Sequence, residues 1–357
     1  MKKRVLLGMS GGVDSSVSAV LLKKSGYEVI GATMKLWQED FEDENEKSCC
    51  SFSAVNDAKR VCDILEIPHY VLNCKAEFRK YVVDDFINCY KDAKTPNPCV
   101  ECNRYLKFGE FLRKAEELDC DYIATGHYAK VEYCEKYNQY VLKKATNEKK
   151  DQSYFLYKIP REVLNKIIFP LEGYEDKEDI RNIARENNLL VAEKKESQEV
   201  CFIPDNNYVK FIEKYDKLKM KPGNIVDING NILGKHNGII KYTVGQRKGI
   251  GISYKEPLYV LKLDKVKNEI IVGTEKDLYT KEVTIGDINY LVKGIENKKI
   301  EIEAKVRYRS KPAKAILYPL ETGKAKIIFE EAQRAVTPGQ SLVFYDNDIV
   351  LGGGKIL

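Results

Sequence analysis

The chain has 357 residues, 43% hydrophobic and 32% charged, which is too much for one ordinary domain and enough for two or three cores. Its net charge of +5, from 59 basic and 54 acidic residues, permits a polyanionic partner without arguing for one. No apolar run approaches the ~18 to 20 residues of a membrane span, and the opening RVLLGM is too short for a signal-peptide core, so a cytosolic chain with no membrane partner is expected.

Over residues 1 to about 130, strand patterns RVLLGM, YEVIGATMKL, HYVLN and DYIATGHYA alternate with helix patterns SSVSAVLLKKSG, AVNDAKRVCDILEI and FRKYVVDDFINCYKDA. Such alternation predicts βαβ units in a doubly wound parallel α/β sheet, with ligands beyond the carboxyl ends of its strands. SYFLYKIPREVLNKI and KEDIRNIARENN then read as amphipathic helices. From KPGNIVDING onward, short alternating strands are punctuated by glycine turns, and IEIEAKVRYRS, KAKIIFEEA and SLVFYDNDIVLG read as half-buried antiparallel strands. The division expected is a catalytic domain over 1–205, a small β-rich domain over 206–280 and a β-barrel over 281–357.

Between the first strand and first helix lies SGGVDSS, residues 10–16. Its glycines let the backbone turn tightly, the N–H groups opening the helix form an anion site, and the Ser10, Ser15 and Ser16 hydroxyls add donors. No Lys-Ser/Thr pair follows, so this is not the Walker loop. Farther on, Cys99 and Cys102 stand three apart after a proline-stiffened TPNP turn and before a helical run. Such a pair is a redox couple, half of a metal site, or two unrelated thiols. Cys201 follows in SQEVCFIP beside Gln198 and Glu199, while Cys49 and Cys50, after an acidic loop, read as structural.

SGGVDSS resembles the PP-loop of the ATP pyrophosphatases. Together with TPNPCVECN, ATGHYAK, DQSYFL, SQEVCFIP, KYTVGQRKGIG, VRYRS and TPGQ, in that family's order, it resembles the tRNA-specific 2-thiouridylases across almost the whole chain. The resemblance implies an adenine nucleotide alpha hydrolase-like fold. The implied reaction takes a wobble uridine of tRNA, ATP with Mg2+ and a protein persulfide to 2-thiouridine, AMP and pyrophosphate. By matching blocks it implies that Gly8, Met9, Ser10, Gly11, Gly12, Val13, Asp14 and Ser15 bind ATP, with Met34 and Gly126 at the adenosine. It likewise implies that Asn97, Pro98 and Cys99 touch the target base and that His127, Asp151, Gln152, Ser153, Arg307, Tyr308 and Gln340 contact tRNA. Cys102 corresponds to the nucleophile and Cys201 to the persulfide carrier, and a persulfide-bearing protein is the implied sulfur donor.

Each assignment has a plainer competitor. A histidine after a strand end, such as His127, is often a hydrogen-bonded core residue. Arg307 and Arg309, alternating on a strand, also suit an ordinary solvated face. At position 99 the chain reads Cys where many of the family read Asp. One reading keeps a Cys102–Cys201 relay; another makes Cys99, Cys102 and Cys201 ligands of a [4Fe–4S] cluster with one open iron; structural zinc, which wants four ligands, is a third. Other functions to weigh are a PP-loop synthetase acting on a small carbonyl compound and a non-catalytic tRNA-binding protein with a structural metal.

Overall fold

A computed structural model of the chain describes residues 2–36, 52–194, 200–203, 205–216, 220–321 and 323–357. Cys49, Cys50, Gln198 and Glu199 lie outside the described residues. The chain forms two compact units, Met1–Val83 with Cys99–Asn206 and Asp348–Val350, and Asp84–Pro98 with Asn207–Asn347 and Leu351–Leu357.

In the first unit, β1 (Arg4–Gly8), β2 (Glu28–Lys35), β3 (His69–Asn73) and β4 (Tyr122–Ala124) precede the hairpin β5 (Lys130–Cys134) and β6 (Gln139–Lys143), and then the short β7 (Ile167–Ile168). The sheet runs β3-β2-β1-β4-β7 with every neighbour parallel. Val5, Leu6 and Leu7 are successive and all fully buried, so both faces of β1 are covered, as a parallel sheet requires. Helix α1 (Val13–Lys24) ends at Ser25, followed by Gly26 in the left-handed region, and α2 (Phe52–Ile64) precedes β3. Cores of Val17, Val20, Val61, Leu65 and Leu7 join helices to sheet.

Two expectations need correcting. The strand over DYIATGHYA shortens to Tyr122–Ala124, because Thr125–Tyr128 turn away beneath the loop that opens α1. SYFLYKIPREVLNKI is not an α-helix but two 3-10 turns, Ser153–Phe155 and Arg161–Lys166, split by Pro160, whose missing N–H and fixed φ interrupt a helix. The helical stretches over 75–91 and 98–117 do form, but each contains a π-helical insert, Arg79–Val83 and Cys102–Glu110.

The second unit carries the helix Tyr208–Asp216 and the strands β8 (Gly223–Val226), β9 (Ile232–His236), β10 (Tyr259–Asp264) and β11 (Glu269–Gly273), ordered β10-β11-β8-β9 around Ile225, Val260, Ile270 and Val272. β12 (Tyr279–Tyr290), β13 (Ile300–Lys305), β14 (Ala313–Leu320), β15 (Lys324–Arg334), β16 (Ser341–Asp346) and β17 (Ile349–Ile356) follow in a six-stranded antiparallel barrel, closed by β12 against β17. β13 ends at Lys305, so Arg307 and Arg309 do not alternate on a strand. They lie in a turn that the Ser310 hydroxyl closes by donating to the Arg307 carbonyl at 2.8 Å. Among the described residues no helix is long and apolar enough to cross a membrane.

Candidate nucleotide site and cysteine segments

β1 is the strand at which the sheet order reverses: β2 and β3 lie to one side, β4 and β7 to the other. Such a switch point opens a crevice at the carboxyl ends of the strands. The loop after Gly8 and the turn after β4 flank it. α1 starts from Gly12 without a side-chain cap, so its first N–H groups are not claimed by a capping side chain and suit an anion. Gly11 has φ +69°, and a Cβ there would lie 2.2 Å from the Ala54 carbonyl oxygen. A Cβ on Gly126 would come within 3.0 Å of Ser15 N, so the post-β4 turn packs directly on the helix start. Met34, at the carboxyl end of β2, is half-buried beside this edge, and Thr33 donates to Met9 O at 2.8 Å.

The serine hydroxyls are less available than the sequence suggests. Ser16 and Ser15 donate to Gly12 O at 2.9 and 3.1 Å, and Ser15 Oγ also accepts from Ser10 N. Ser10 Oγ in turn donates to Ser15 Oγ at 3.2 Å, so all three hydroxyls brace the turn and the backbone amides that open α1 are its anion-facing donors. Asp14 accepts from Tyr128 OH at 2.8 Å and from Lys177 Nζ at 2.5 Å, while Lys194 Nζ donates to Gly11 O at 3.0 Å and to Asp57 at 2.7 Å. Sequence reasoning missed these lysines, since nothing in KEDIRNIARENN or AEKK marks a partner far up the chain. A Gly11→Ala variant adds left-handed strain of about 1–2 kcal/mol to a backbone collision. We expect a lower Tm and loss of measurable ATP binding, checked by calorimetry with and without nucleotide.

Cys99 is exposed and Cys102 buried on consecutive turns of the stretch that begins at Pro98. The residues around Cys102 anchor it. Glu101 and Lys158 form an ion pair at 2.8 Å with both side chains almost fully buried, and Asn103 Nδ2 donates to Phe155 O at 3.0 Å. Asn103 Oδ1 is buried without a partner among the described residues. Cys201 is half-buried in a turn closed by Ile203 N on Val200 O, and Phe202 packs edge-on against Phe78. The proposed [4Fe–4S] ligand set is corrected here. Among the described residues, which include Cys99, Cys102 and Cys201, no three His, Cys, Asp or Glu side chains gather closely enough to hold a metal. Cys99 is exposed and Cys102 buried, and with no third ligand gathered beside them among the described residues a structural zinc lacks its ligand set as well.

The remaining site residues are each tied into the fold by hydrogen bonds or packing. Asp151 is buried and accepts from Ala145 N, Ser153 N and the buried Ser153 hydroxyl, while Gln152 accepts from and donates to the Tyr128 backbone. Gln340 donates to Thr95 O and Pro96 O at 3.2 and 3.0 Å, and Thr95 N donates to Pro338 O, so TPGQ grips the TPNP turn that holds Asn97 and Pro98. Arg307 and Tyr308 are half-buried in their turn, with Lys305 over the Tyr308 ring.

His127 is half-buried, with both ring nitrogens hydrogen-bonded. The Lys107 ammonium can only donate, so at 3.3 Å Nε2 accepts, and Nδ1–H donates to Thr125 Oγ1 at 2.7 Å. Burial, then the Lys107 charge, push its pKa well below 6.5; burial also lowers His69 and His236. Each imidazole is therefore neutral in the fold. Its contribution is complete above the unfolded value of about 6.5 and is lost as pH falls toward the lowered folded value, at up to ~1.4 kcal/mol per pH unit per group. Urea unfolding should show lower stability at pH 5.5 than at 7.5, and His127→Gln should flatten part of that slope.

Comparison with known proteins places this arrangement. The tRNA methyl transferase HUP domain matches residues 3–205, the tRNA methyl transferase PRC-barrel domain 209–274 and the aminomethyltransferase beta-barrel domain 280–356. The tRNA-specific 2-thiouridylase MnmA of Clostridium beijerinckii is 52% identical over 357 residues, covering 100% of this chain and 99% of that protein. That of Clostridioides difficile is 48% identical over 356 residues, covering 100% and 98%. Solved structures align more loosely. NMN synthetase from Francisella tularensis has a TM-score of 0.35 at 14% identity, covering 62% of this chain and 79% of that one. A 4-thiouridine synthetase–RNA complex with bound ATP has a TM-score of 0.35 at 18% identity, covering 59% and 50%. Identity near one half along the full length of both chains, with the glycine loop intact at the switch point, makes this chain a member of the tRNA-specific 2-thiouridylase family.

Proposed function

We propose that this enzyme replaces O2 of a wobble uridine in tRNA with sulfur. The observation that carries the reading is that one compact unit, in a chain half-identical to 2-thiouridylases, holds both the uncapped glycine loop and the Cys102 and Cys201 segments. ATP, with Mg2+ held by its phosphate oxygens, binds Gly8–Ser15 with Met34 and Gly126 at the adenosine. The uridine, splayed from the anticodon stack, meets Asn97, Pro98 and Cys99. O2 attacks the α-phosphate and pyrophosphate leaves. A persulfide on Cys201, loaded by a donor protein, attacks C2 through its terminal sulfur, and AMP departs with the oxygen. The Cys102 thiolate then attacks Cys201 Sγ, which releases 2-thiouridine and leaves a Cys102–Cys201 disulfide. A two-electron reductant restores both thiols.

Within this reading Arg307, Tyr308 and Gln340 act for tRNA as positioning contacts that carry no sequence information. His127 and Gln152 are partly exposed and would contact RNA directly, whereas buried Asp151 and Ser153 would act through the loop they hold. We further read the second unit as modules over 206–280 and 281–357 that serve the RNA. The test is thiolation of an unmodified tRNA transcript by iron-free protein under anaerobic conditions, with ATP and a persulfide donor, read on a mercury-containing gel. Retarded tRNA supports the relay. No product without iron, but activity after cluster reconstitution, would replace the relay; no product either way would remove the tRNA reading.

A further inference from the structure

We infer that Lys177 and Lys194 are the cations that receive the β- and γ-phosphates of ATP at the glycine loop, an assignment that rests on the nucleotide site proposed above. The starting point is a charge deficit. SGGVDSS contains no lysine or arginine, and its one ionised side chain, Asp14, is negative. The helix start supplies only about half a positive charge. A triphosphate bound by amides alone, next to a carboxylate, would remain largely uncompensated.

The fold brings the missing charge from far down the chain. Lys177, at the first position of the helix Lys177–Glu186, reaches Asp14 Oδ1 at 2.5 Å and lies 5.7 Å from the Tyr128 ring centre, with Tyr128 OH on the same oxygen. Lys194 touches the loop three residues earlier, donating to Gly11 O and bridging to Asp57. The two ammoniums therefore bracket the uncapped start of α1 at residues 11 and 14. Their side chains are 15% and 35% exposed, sheltered enough for a charge to act and open enough to meet a ligand. Lys194 commits two of its three N–H donors and has no third partner among the described residues. Two lysines held only for the fold would not both need to end on the loop. A triphosphate, more highly charged than either carboxylate, would compete with Asp14 and Asp57 for the two ammoniums and gain two charge-assisted bonds.

Equilibrium binding of ATP and of AMP to the full chain, with no tRNA present, tests this. AMP carries the adenosine and α-phosphate but lacks the two terminal phosphates. Lys194→Met and Lys177→Met should each weaken ATP by roughly 10- to 100-fold, as loss of a charged hydrogen bond does, and AMP by no more than about twofold. Lys194→Arg should recover most of the ATP affinity, and tRNA affinity should hold in all three. Unchanged ATP binding in folded variants, or equal losses for ATP and AMP, would overturn the assignment. If Lys177→Met fails to fold, Lys194→Met and Lys194→Arg decide alone. A wild-type protein that binds ATP yet thiolates no tRNA would instead overturn the thiouridylase reading and leave the lysines standing.

Discussion

Alanine at Cys102 or Cys201 should bring tRNA thiolation to the assay floor, a loss on the order of a thousandfold or more, while ATP and tRNA binding persist. The two variants should fail differently. On the relay proposed above, loss of Cys201 should leave pyrophosphate release intact while no sulfur reaches the uridine. Loss of Cys102 should let sulfur reach C2 but leave the base linked to Cys201 through an S–S bond. A protein–tRNA adduct that dithiothreitol dissolves, freeing thiolated tRNA, should then accumulate in a single turnover. Local structure supports the division of roles. Cys102 opens a π-helical insert, a feature frequent at functional sites, and is anchored by buried neighbours on both sides. Cys201 lies in a turn closed by Ile203 N on Val200 O, with Phe202 edge-on against Phe78. Cys99, exposed one turn earlier, touches the base in this reading but takes no part in the sulfur relay, so Cys99→Ser should weaken turnover only modestly and give no adduct. Sustained turnover by Cys102→Ala without an added thiol would end the relay.

What the sequence made legible was whatever local periodicity or turn chemistry determines. RVLLGM and SSVSAVLLKK fell into strand and helix because their apolar spacing matches β1 and α1, and the loop between them keeps the glycines its backbone needs. The hairpin β5–β6 was legible yet overlooked: Val131 and Tyr133 alternate opposite Leu142 and Tyr140 across a turn where Asn138 adopts φ 50°. Arg307 and Arg309 misled because alternation continues past Lys305 while hydrogen bonding does not. The pairing of Lys177 and Lys194 with the loop, of TPGQ with TPNP and of Glu101 with Lys158 was beyond reach. Each depends on tertiary distance, and a lone lysine in a helical pattern looks like any solvated lysine.

The last of those pairs carries the largest expected effect on stability. Glu101 and Lys158 are each 3% exposed and 2.8 Å apart, next to Cys102. Removing a charge from water costs several kcal/mol, which mutual attraction offsets only while both partners are present. Lys158→Met leaves a buried carboxylate without its cation and should destabilise the protein by about 3–5 kcal/mol, seen as an earlier urea midpoint with little change in slope. Glu101→Gln should cost less, because a neutral amide still accepts from the ammonium. Glu101→Leu with Lys158→Met removes both charges and should be more stable than Lys158→Met alone, because no ion is then stranded. A loss under about 1 kcal/mol for Lys158→Met would mean water reaches the pair. The double variant separates stability from geometry. If it folds firmly but thiolates poorly while binding ATP normally, the ion pair acts by fixing the turn that presents Cys102, a role an apolar pair of similar volume cannot reproduce.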